Sequence, residues 1–217
     1  MRSDDNTETI KNLVVIDKER VDSSHTLDYL KQHNLNNSND LDALSPLCYS
    51  ENSEINFHLH NKTYYLNYGL EDSWNAYLKI PPELAWTGSK LNFSFTYDSP
   101  NKNFTYANDK YDGMKENQLV FIVIKLFFGF FKLAVTHYVS KVSTEDKAVK
   151  LCYVEGGKSL GSQMISFERV SENKTRIIHI TRYKSNSNFR DKILYPFIHE
   201  MIINQFHNNV KNYLDAK

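Results

Sequence analysis

The sequence has few cysteines, and this shortage argues against two classes of protein. It contains 2 cysteines in 217 residues, Cys48 and Cys152, far apart in the chain. Neither belongs to a CxxC motif or a Cys/His cluster, so the pattern argues against a disulfide framework and against a zinc site. The sequence therefore favours a reducing compartment, and we predict a cytoplasmic location.

The chain also lacks an excess of charge of either sign. Lys and Arg number 26, Asp and Glu number 26, and the formal net charge is zero. A protein that binds nucleic acid through bulk charge is strongly basic, so we predict no nucleic-acid partner, although a local basic patch stays possible. The segment Met1–Arg20 has no apolar stretch or small-residue cleavage site of the kind found in signal peptides.

Long uncharged apolar runs are missing as well. The nearest to one is Leu119–Val135, which contains Lys125 and Lys132 and has Gly129 near its middle. A membrane-spanning helix prefers about 20 apolar residues and few charges. Two strands that meet at a turn around Gly129 explain the run better, and we predict no transmembrane segment.

No strong catalytic or cofactor motif is present. The chain contains no GxSxG, HExxH or P-loop sequence, and Gly156-Gly157-Lys158-Ser159 lacks the first glycine of a P-loop. His58 and His60 would point to the same side of a strand, as metal ligands can, but spacing assigns no third ligand. We predict no metal and no cofactor.

The most informative segment is the C-terminal run Phe189–Leu214, which predicts a long helix. Pro196 either opens this helix at its first turn or kinks it. Apolar residues cover much of its circumference; they are Ile193, Leu194, Phe197, Ile198, Met201, Ile202, Phe206, Val210 and Tyr213. A helix that is apolar on so many sides must be enclosed by other elements. We interpret His199 and His207 on this helix as solvated.

Upstream, the sequence predicts one strand, two short helices and then a series of strands. The first strand is Lys62–Tyr68, and the helices are Glu71–Lys79 and about Glu83–Thr87. Alternating apolar residues then predict strands at Lys90–Tyr97, Gln118–Phe128, Lys132–Val142, Lys147–Val154, Gly161–Val170 and Thr175–Lys184, with a weaker one in Phe104–Tyr111. On Lys90–Tyr97 the alternation places Leu91, Phe93, Phe95 and Tyr97 on one face. The order predicts an α+β fold in which a curved antiparallel sheet of about six or seven strands wraps around the long helix.

Residues 1–57 differ from the rest in being polar and poor in aromatic residues. Short helices are plausible at about Thr7–Asp17 and at Ser24–His33. We predict that this segment is an appendage, either partly helical or disordered, that contributes little core. The domain proper is predicted to cover residues 58–217.

Three parts of the sequence resemble one superfamily. WNAYLKIPPELAWTG resembles the first helix pair of the START/Bet v 1/polyketide-cyclase (SRPBCC) superfamily, in which a Trp begins a short helix and a proline break follows. LCYVEGGKSLGSQMISFE with NKTRIIHITRYKS, and FRDKILYPFIHEMIINQFHNNV, resemble its last three strands and its helix. The resemblance covers about residues 62–214 and identifies no subfamily. It implies a helix-grip fold with a hydrophobic tunnel, in which members bind lipids, sterols, hormones or polyketides and a few catalyse cyclisation or dehydration.

Alternation along the strands selects the polar residues that would project into such a tunnel. His137 and His179 share their strand faces with apolar residues, and Gln163 lies on the inward candidate face of its strand. A few convergent polar groups in an apolar pocket are usual for a small-molecule site. The predicted ligand-binding residues are His137, Tyr153, Gln163, His179, Phe197 and Met201. For each histidine, a core position with a hydrogen bond to the backbone is the alternative.

Three functions stay open at this point. The first is a non-enzymatic carrier or sensor of a hydrophobic small molecule such as a lipid, sterol or polyketide. The second is a cyclase, aromatase or dehydratase that uses His137 or His179 as general acid or base. The third is a domain with a filled core that acts through protein contacts. Ligand identity and oligomeric state are not predicted.

Overall fold

The computed structural model describes residues 13–217, apart from the side chain of Phe128. The helices are α1 (Ser24–Gln32), α2 (Ser38–Asp42), α3 (Leu70–Lys79), α4 (Pro82–Ala85) and α5 (Tyr195–Asp215). The strands are β1 (His58–Leu66), β2 (Leu91–Asp98), β3 (Asn103–Tyr106), β4 (Gln118–Leu126), β5 (Phe131–Ser143), β6 (Ala148–Tyr153), β7 (Leu160–Ser171) and β8 (Lys174–Lys184). Short 3-10 turns occur at Lys18–Arg20 and Phe127–Gly129, and a π-helical turn at Arg190–Leu194 precedes α5.

The strands form one antiparallel sheet of eight strands in the order β1-β8-β7-β6-β5-β4-β2-β3. The sheet has one strand more than the upper end of the predicted range. The inner core contains α3, α4 and α5 packed against the concave face, and Trp74, Trp86, Phe167 and Phe206 are among its buried residues. The predicted helix-grip architecture, with two short helices after the first strand and a long C-terminal helix, is therefore confirmed.

A β-bulge corrects the prediction for β2. The pairing of β2 with β4 shifts between Phe93 and Phe95, so that Ser94 is an extra residue. An extra residue reverses the alternation of all side chains beyond it. Leu91 and Phe93 consequently belong to the inner core, whereas Phe95 and Tyr97 lie on the opposite, outer face.

The apolar run Leu119–Val135 is a β-hairpin, as predicted. Strands β4 and β5 pair from Leu119 with Tyr138 to Leu126 with Phe131, and Phe127–Gly129 makes the turn. Among the described residues, no helix has the length and apolar character needed to cross a membrane. Odd-numbered residues of β4 face outward and even-numbered ones face the inner core, which explains why consecutive residues from Leu119 to Ile124 are apolar.

The segment from Leu13 to Phe57 crosses the outer face of the sheet and supplies a second core. Ile16, Val21, Leu30 and Leu41 are almost completely buried there. They pack with sheet residues that include Phe95, Tyr97, Tyr106, Leu119 and Phe121. The expectation that this segment contributes little core is therefore wrong, because the sheet offers apolar residues on both faces.

Of the two helices predicted in this segment, one is present. The predicted helix Ser24–His33 corresponds to α1. The start of the predicted helix at Thr7–Asp17 lies outside the described residues. Its last part, from Leu13 to Asp17, is extended and forms a bridge between Val15 and Asn37 instead.

The two cysteines form a disulfide, which corrects the sequence-based expectation. Cys48 and Cys152 are separated by 104 residues in the chain but lie with their Cα atoms 4.8 Å apart. The contact arises because the chain around Cys48 lies beside the end of β6. The backbone N–H of Leu47 donates to the carbonyl of Tyr153 at 2.7 Å, and the N–H of Gly161 donates to the carbonyl of Leu47 at 2.8 Å. The bond therefore fixes the N-terminal segment to the sheet.

Candidate functional site

A cavity of about 230 Å³ lies between the concave face of the sheet and α5. Its walls are mainly apolar, and they include Trp86, Ile122, Leu151, Ile202 and Phe206. An engineered apolar cavity of about 150 Å³ accepts benzene. The space here is thus sufficient for a molecule with one aromatic ring and a substituent.

The cavity opens where the sheet is incomplete. Strand β5 has 13 residues, but its pairing with β6 begins only at His137 and Tyr153. The first half of β5, from Phe131 to Thr136, therefore has no strand beside it on that side within the described chain. Leu133–Thr136 and the loop Gly157–Ser159 both line the cavity at this gap, together with Arg190 and Leu194 ahead of α5.

A chain of buried side chains linked by hydrogen bonds lies along one wall. The hydroxyl of Tyr77 is 2.5 Å from Nδ1 of His207, and Nε2 of His207 is 2.9 Å from Nδ1 of His179. Nε2 of His179 is 3.0 Å from Oε1 of Gln163, whose Nε2 is 2.9 Å from Nε2 of His137. These residues come from α3, α5 and three strands, so the network joins the helices to the sheet.

With the Gln163 amide oriented as in the structure, the positions of the protons in this chain follow. Its nitrogen can only donate, so Nε2 of His137 accepts, and its oxygen can only accept, so Nε2 of His179 donates. Nδ1 of His179 then accepts from His207, and Nδ1 of His207 accepts from the hydroxyl of Tyr77. A neutral His137 must consequently have its proton on Nδ1.

Among the described residues, the N–H group at Nδ1 of His137 ends the chain without a hydrogen-bond partner. Within residues 13–217, Nδ1 of His137 is buried and has no hydrogen-bond partner. An unpaired buried donor is costly, since a lost hydrogen bond to water is not replaced. His137 lines the cavity, and the ring of Trp86 stacks near it with centroids 6.1 Å apart. A ligand atom that accepts a hydrogen bond would complete the network.

Burial keeps the histidines of this wall neutral. It lowers the pKa of His137 to about 4 and, with the nearby His60 and His137, that of His179 to about 3. The pKa values of His199 and His207 also lie well below the usual histidine value, mainly because of burial. All four imidazoles are therefore uncharged near pH 7, which fits an apolar cavity.

Two tyrosines form a second polar feature beside the chain. The hydroxyl of Tyr153 on β6 is hydrogen-bonded to that of Tyr195 at the start of α5, and the amide nitrogen of Gln163 lies 3.5 Å from Tyr153. Burial raises the pKa of Tyr153 to about 12. The ring of Tyr195 stacks on Tyr183, with centroids 3.6 Å apart, so α5 is held at this point. Both hydroxyls are protonated at neutral pH.

Four of the six predicted site residues come together in the cavity wall. His137, Tyr153, Gln163 and His179 all line it. Both nitrogens of His179 are already paired with side chains, and the expected alternative of a hydrogen bond to the backbone is not what the structure shows. Their role in ligand binding stays a prediction.

The two predicted site residues on the helix lie elsewhere. The side chain of Phe197 is 67% exposed, and neither it nor the half-buried Met201 borders the cavity. The inward face of α5 instead carries His199, Ile202, Ile203, Phe206 and Val210. The prediction followed the apolar spacing of Ile193, Phe197 and Met201, which lies on the opposite side of the helix. It is therefore wrong for both residues.

The same choice of helix face explains why the interpretation of His199 and His207 as solvated is wrong. His199 and His207 are 5% and 3% exposed. Nδ1 of His199 is 3.2 Å from Nδ1 of His60, and its Nε2 is 3.3 Å from the hydroxyl of Thr181. The spacing of Ile203, Phe206, Val210 and Leu214 indicates the true inward face, and His199 and His207 lie on its line.

The histidines are paired with one another rather than gathered around one point. Among residues 13–217, no group of three His, Cys, Asp or Glu side chains is placed to hold a metal ion. His60 also lies 3.8 Å from the carboxylate of Glu200, and His58 lies 3.9 Å from that of Asp191. The histidine-rich wall is thus a hydrogen-bond network.

Comparisons with known proteins show likeness of structure but not of sequence. No protein-family model matches the chain, and no curated protein matches it. Norcoclaurine synthase from Thalictrum flavum, solved in complex with dopamine and hydroxybenzaldehyde, has a TM-score of 0.53 and 14% identity over 79% of this chain and 97% of that chain. Major latex-like protein 151 from Panax ginseng has a TM-score of 0.52 and 10% identity over 72% of this chain and 97% of that chain. At such identities the likeness concerns the fold alone, and this chain shares the helix-grip fold of these two proteins.

Proposed function

We propose that the protein binds a small hydrophobic molecule that has one hydrogen-bond acceptor. The observation that carries the proposal is the unpaired Nδ1 of His137 at the wall of an apolar cavity. Apolar burial supplies affinity, at roughly 25 cal/mol per Å² before the costs of association. The unpaired donor on His137 supplies orientation. The cavity volume favours a ligand of one or two rings over a sterol.

Binding without catalysis is the better supported form of this function. A general acid or base works best when its pKa lies near the working pH. The pKa values of about 4 for His137 and about 3 for His179 are far from that range. The open cavity also counts against an interaction domain with a filled core.

An enzyme of the cyclase, aromatase or dehydratase type is the second candidate. The pair of hydroxyls on Tyr153 and Tyr195, which touches Gln163 beside the cavity, favours it. A protonated tyrosine can donate to a substrate oxygen during dehydration or ring closure. In this form, the tyrosines act as hydrogen-bond donors that orient and polarise a substrate oxygen, because their raised pKa values do not suit full proton transfer near pH 7.

The location of the protein stays a prediction, and the disulfide weighs against the cytoplasm. Bonds such as Cys48–Cys152 persist in oxidising compartments and are rare where thiols are kept reduced. An oxidising compartment is therefore the better expectation.

Two probes of equal size test the proposal. Acetophenone and isopropylbenzene have the same number of non-hydrogen atoms, but only acetophenone has an acceptor. We expect calorimetry to show binding of both probes to the wild-type protein. In His137→Leu, the preference for acetophenone over isopropylbenzene should fall about tenfold, the worth of one buried hydrogen bond.

Two control variants keep the outcomes distinct. Val135→Phe adds volume at the cavity wall and should weaken the binding of both probes to a similar extent. His25→Leu, outside the cavity, should change neither. If the wild-type protein takes up neither probe, the binding proposal is overturned. If both bind and His137→Leu leaves their ratio unchanged, the cavity is a binding site but His137 does not orient the ligand.

A further inference from the structure

The apolar hairpin that suggested a membrane segment in the sequence presents its tip to solvent. The side chain of Phe130 is 86% exposed, that of Phe131 is 66% exposed and that of Phe127 is 62% exposed. Monomeric soluble proteins seldom expose several large apolar side chains together, and such patches mark interaction sites. Nothing in the inner or outer core requires these residues, since neither core includes them.

A second exposed apolar group lies on the chain around the start of α5. Phe189 is 63% exposed, Ile193 58% and Phe197 67%. Phe127 from the hairpin and Leu194 from this segment line the same cavity. Each group therefore has one member or chain neighbour at the cavity, whereas Ile193 and Phe197 themselves project from the side of the helix that faces away from it. We call the two groups together the aromatic rim.

The charges beside the hairpin half of the aromatic rim are of one sign, although the protein as a whole has no net charge. Beside the other half, Glu200 is partly exposed and forms an ion pair with Lys62. From Asn117 to Ser143 the sequence contains Lys125, Lys132 and Lys141 but no Asp or Glu. Lys125 and Lys132 face each other across the hairpin, directly below its tip. Lys158 and Arg190 line the cavity at the same opening.

These cations are available to an anionic partner. Within the described residues, neither Lys125 nor Lys132 forms an ion pair with a carboxylate, and Lys125 donates to the amide oxygen of Asn92 at 2.9 Å. Arg190 donates to the carbonyl of Lys158 and the hydroxyl of Ser185. The neighbouring Asp191 is completely buried and adds no exposed negative charge.

From this arrangement we infer that the aromatic rim docks the protein on the surface of a membrane that contains anionic phospholipids. Phenyl rings that project from a rim of Lys and Arg suit the boundary between acyl chains and head groups. Each cation near such a surface adds to the attraction. Docking would place the cavity opening against the lipid. The inference does not rest on ligand binding in the cavity.

A second copy of the chain could also cover an exposed apolar surface of this kind, by forming a dimer. Two rims of like charge would repel each other on contact, whereas an anionic bilayer neutralises both lysines. The charge pattern therefore favours the membrane.

Sedimentation with vesicles tests the inference. We expect the wild-type protein to bind vesicles of phosphatidylcholine mixed with phosphatidylserine, and to bind pure phosphatidylcholine vesicles much more weakly. Binding should weaken as salt is raised, because screening removes the attraction. The double variant Phe130→Ser/Phe131→Ser should lower the partition coefficient by about tenfold or more, through loss of apolar insertion. Lys125→Gln/Lys132→Gln should remove most of the preference for anionic vesicles.

Matched controls and a second measurement make the result decisive. Leu59→Ser/Val170→Ser removes two exposed apolar side chains from β1 and β7 and should leave vesicle binding unchanged. A cooperative thermal transition followed by circular dichroism shows that the rim variants are folded, and it depends neither on docking nor on ligand binding. The inference is overturned if wild-type protein ignores anionic vesicles or if the phenylalanine variant binds them equally well. It is also overturned if analytical ultracentrifugation shows a dimer that the phenylalanine variant abolishes while vesicle binding is absent.

Discussion

Gln163 is the residue on which the polar wall of the cavity depends. Its oxygen and nitrogen bond to His179 and His137, so one side chain serves as acceptor to one histidine and donor to the other. A glutamate could not donate, and a leucine would leave two imidazole nitrogens unpaired in the interior. An amide at this position therefore allows two neutral histidines to lie beside an apolar space.

The exposure of α5 residues can be tested with two phenylalanines on the same helix. Phe206→Ala removes a ring that is 2% exposed and stacks on Trp86, with centroids 4.4 Å apart, so we expect a loss of about 3–5 kcal/mol in the free energy of unfolding. Phe197→Ala removes a ring that is 67% exposed, so the loss should lie within about 0.5 kcal/mol. Urea denaturation of both variants measures the difference. Equal losses would show that α5 is rotated relative to the structure described here.

At the scale of elements, most of the fold can be predicted from periodicity. The β4–β5 hairpin, the two short helices before β2 and the long final helix all lie within a few residues of their predicted bounds. These elements follow from local patterns, namely alternation, proline breaks and a broad apolar run. The wrapping of the sheet around α5 follows from the order of the elements and from the broad apolar surface of the final helix. The pairing order of the strands was not predicted.

The missed features depend on contacts that a local pattern does not contain. The bulge at Ser94 reverses the faces of β2, and nothing in LNFSFTY marks it, because the residues on both sides are equally apolar. The buried hydroxyl of Ser94 is hydrogen-bonded to the hydroxyl of Thr26 in α1 at 2.7 Å, and the two residues are 68 positions apart in the chain. Likewise, His199 and His207 became inward residues through hydrogen bonds to distant side chains. Periodicity counted only apolar residues and so selected Phe197 and Met201.

The link between the N-terminal segment and β6 can be tested through its disulfide. The Cys48–Cys152 bond closes a loop with a sequence separation of 104 residues, which restricts the unfolded chain strongly. We expect reduction to lower the free energy of unfolding by about 2–5 kcal/mol. Urea denaturation with and without a reductant measures the effect.

Matched variants at the same bond separate it from other effects of the reductant. Cys48→Ser/Cys152→Ser should show the lower stability in both conditions. If reductant changes the double variant as much as the wild-type protein, or changes neither, then the bond does not stabilise the fold.

At the scale of the whole molecule, the sheet is covered on both faces, and the two cores differ in character. The outer core beneath the N-terminal segment is mainly apolar. The inner core combines apolar residues with buried imidazoles that must be neutral in the folded state. Acid should therefore destabilise the fold mainly by protonating imidazoles of the inner core.

The pH dependence of stability follows from these imidazoles. Histidine has a pKa of about 6.5 when unfolded, while His137 and His179 have pKa values of about 4 and about 3 in the folded protein. Between these limits the unfolded chain binds more protons, so stability is complete above about pH 6.5 and falls as the pH is lowered. Each such group contributes a slope of about 1.4 kcal/mol per pH unit well below pH 6.5.

Denaturation by urea at several pH values from 5 to 7.5 measures this slope. The range stays above the pKa of Glu200, which Lys62 lowers from its usual value, so carboxylates contribute little. His179→Gln can still form hydrogen bonds but cannot titrate in this range, so its slope should be smaller than that of the wild-type protein by about the share of one histidine. A wild-type stability that is constant from pH 5 to 7.5 would mean that the imidazoles can take up protons inside the fold, and the neutral hydrogen-bond chain from Tyr77 to His137 would then be wrong.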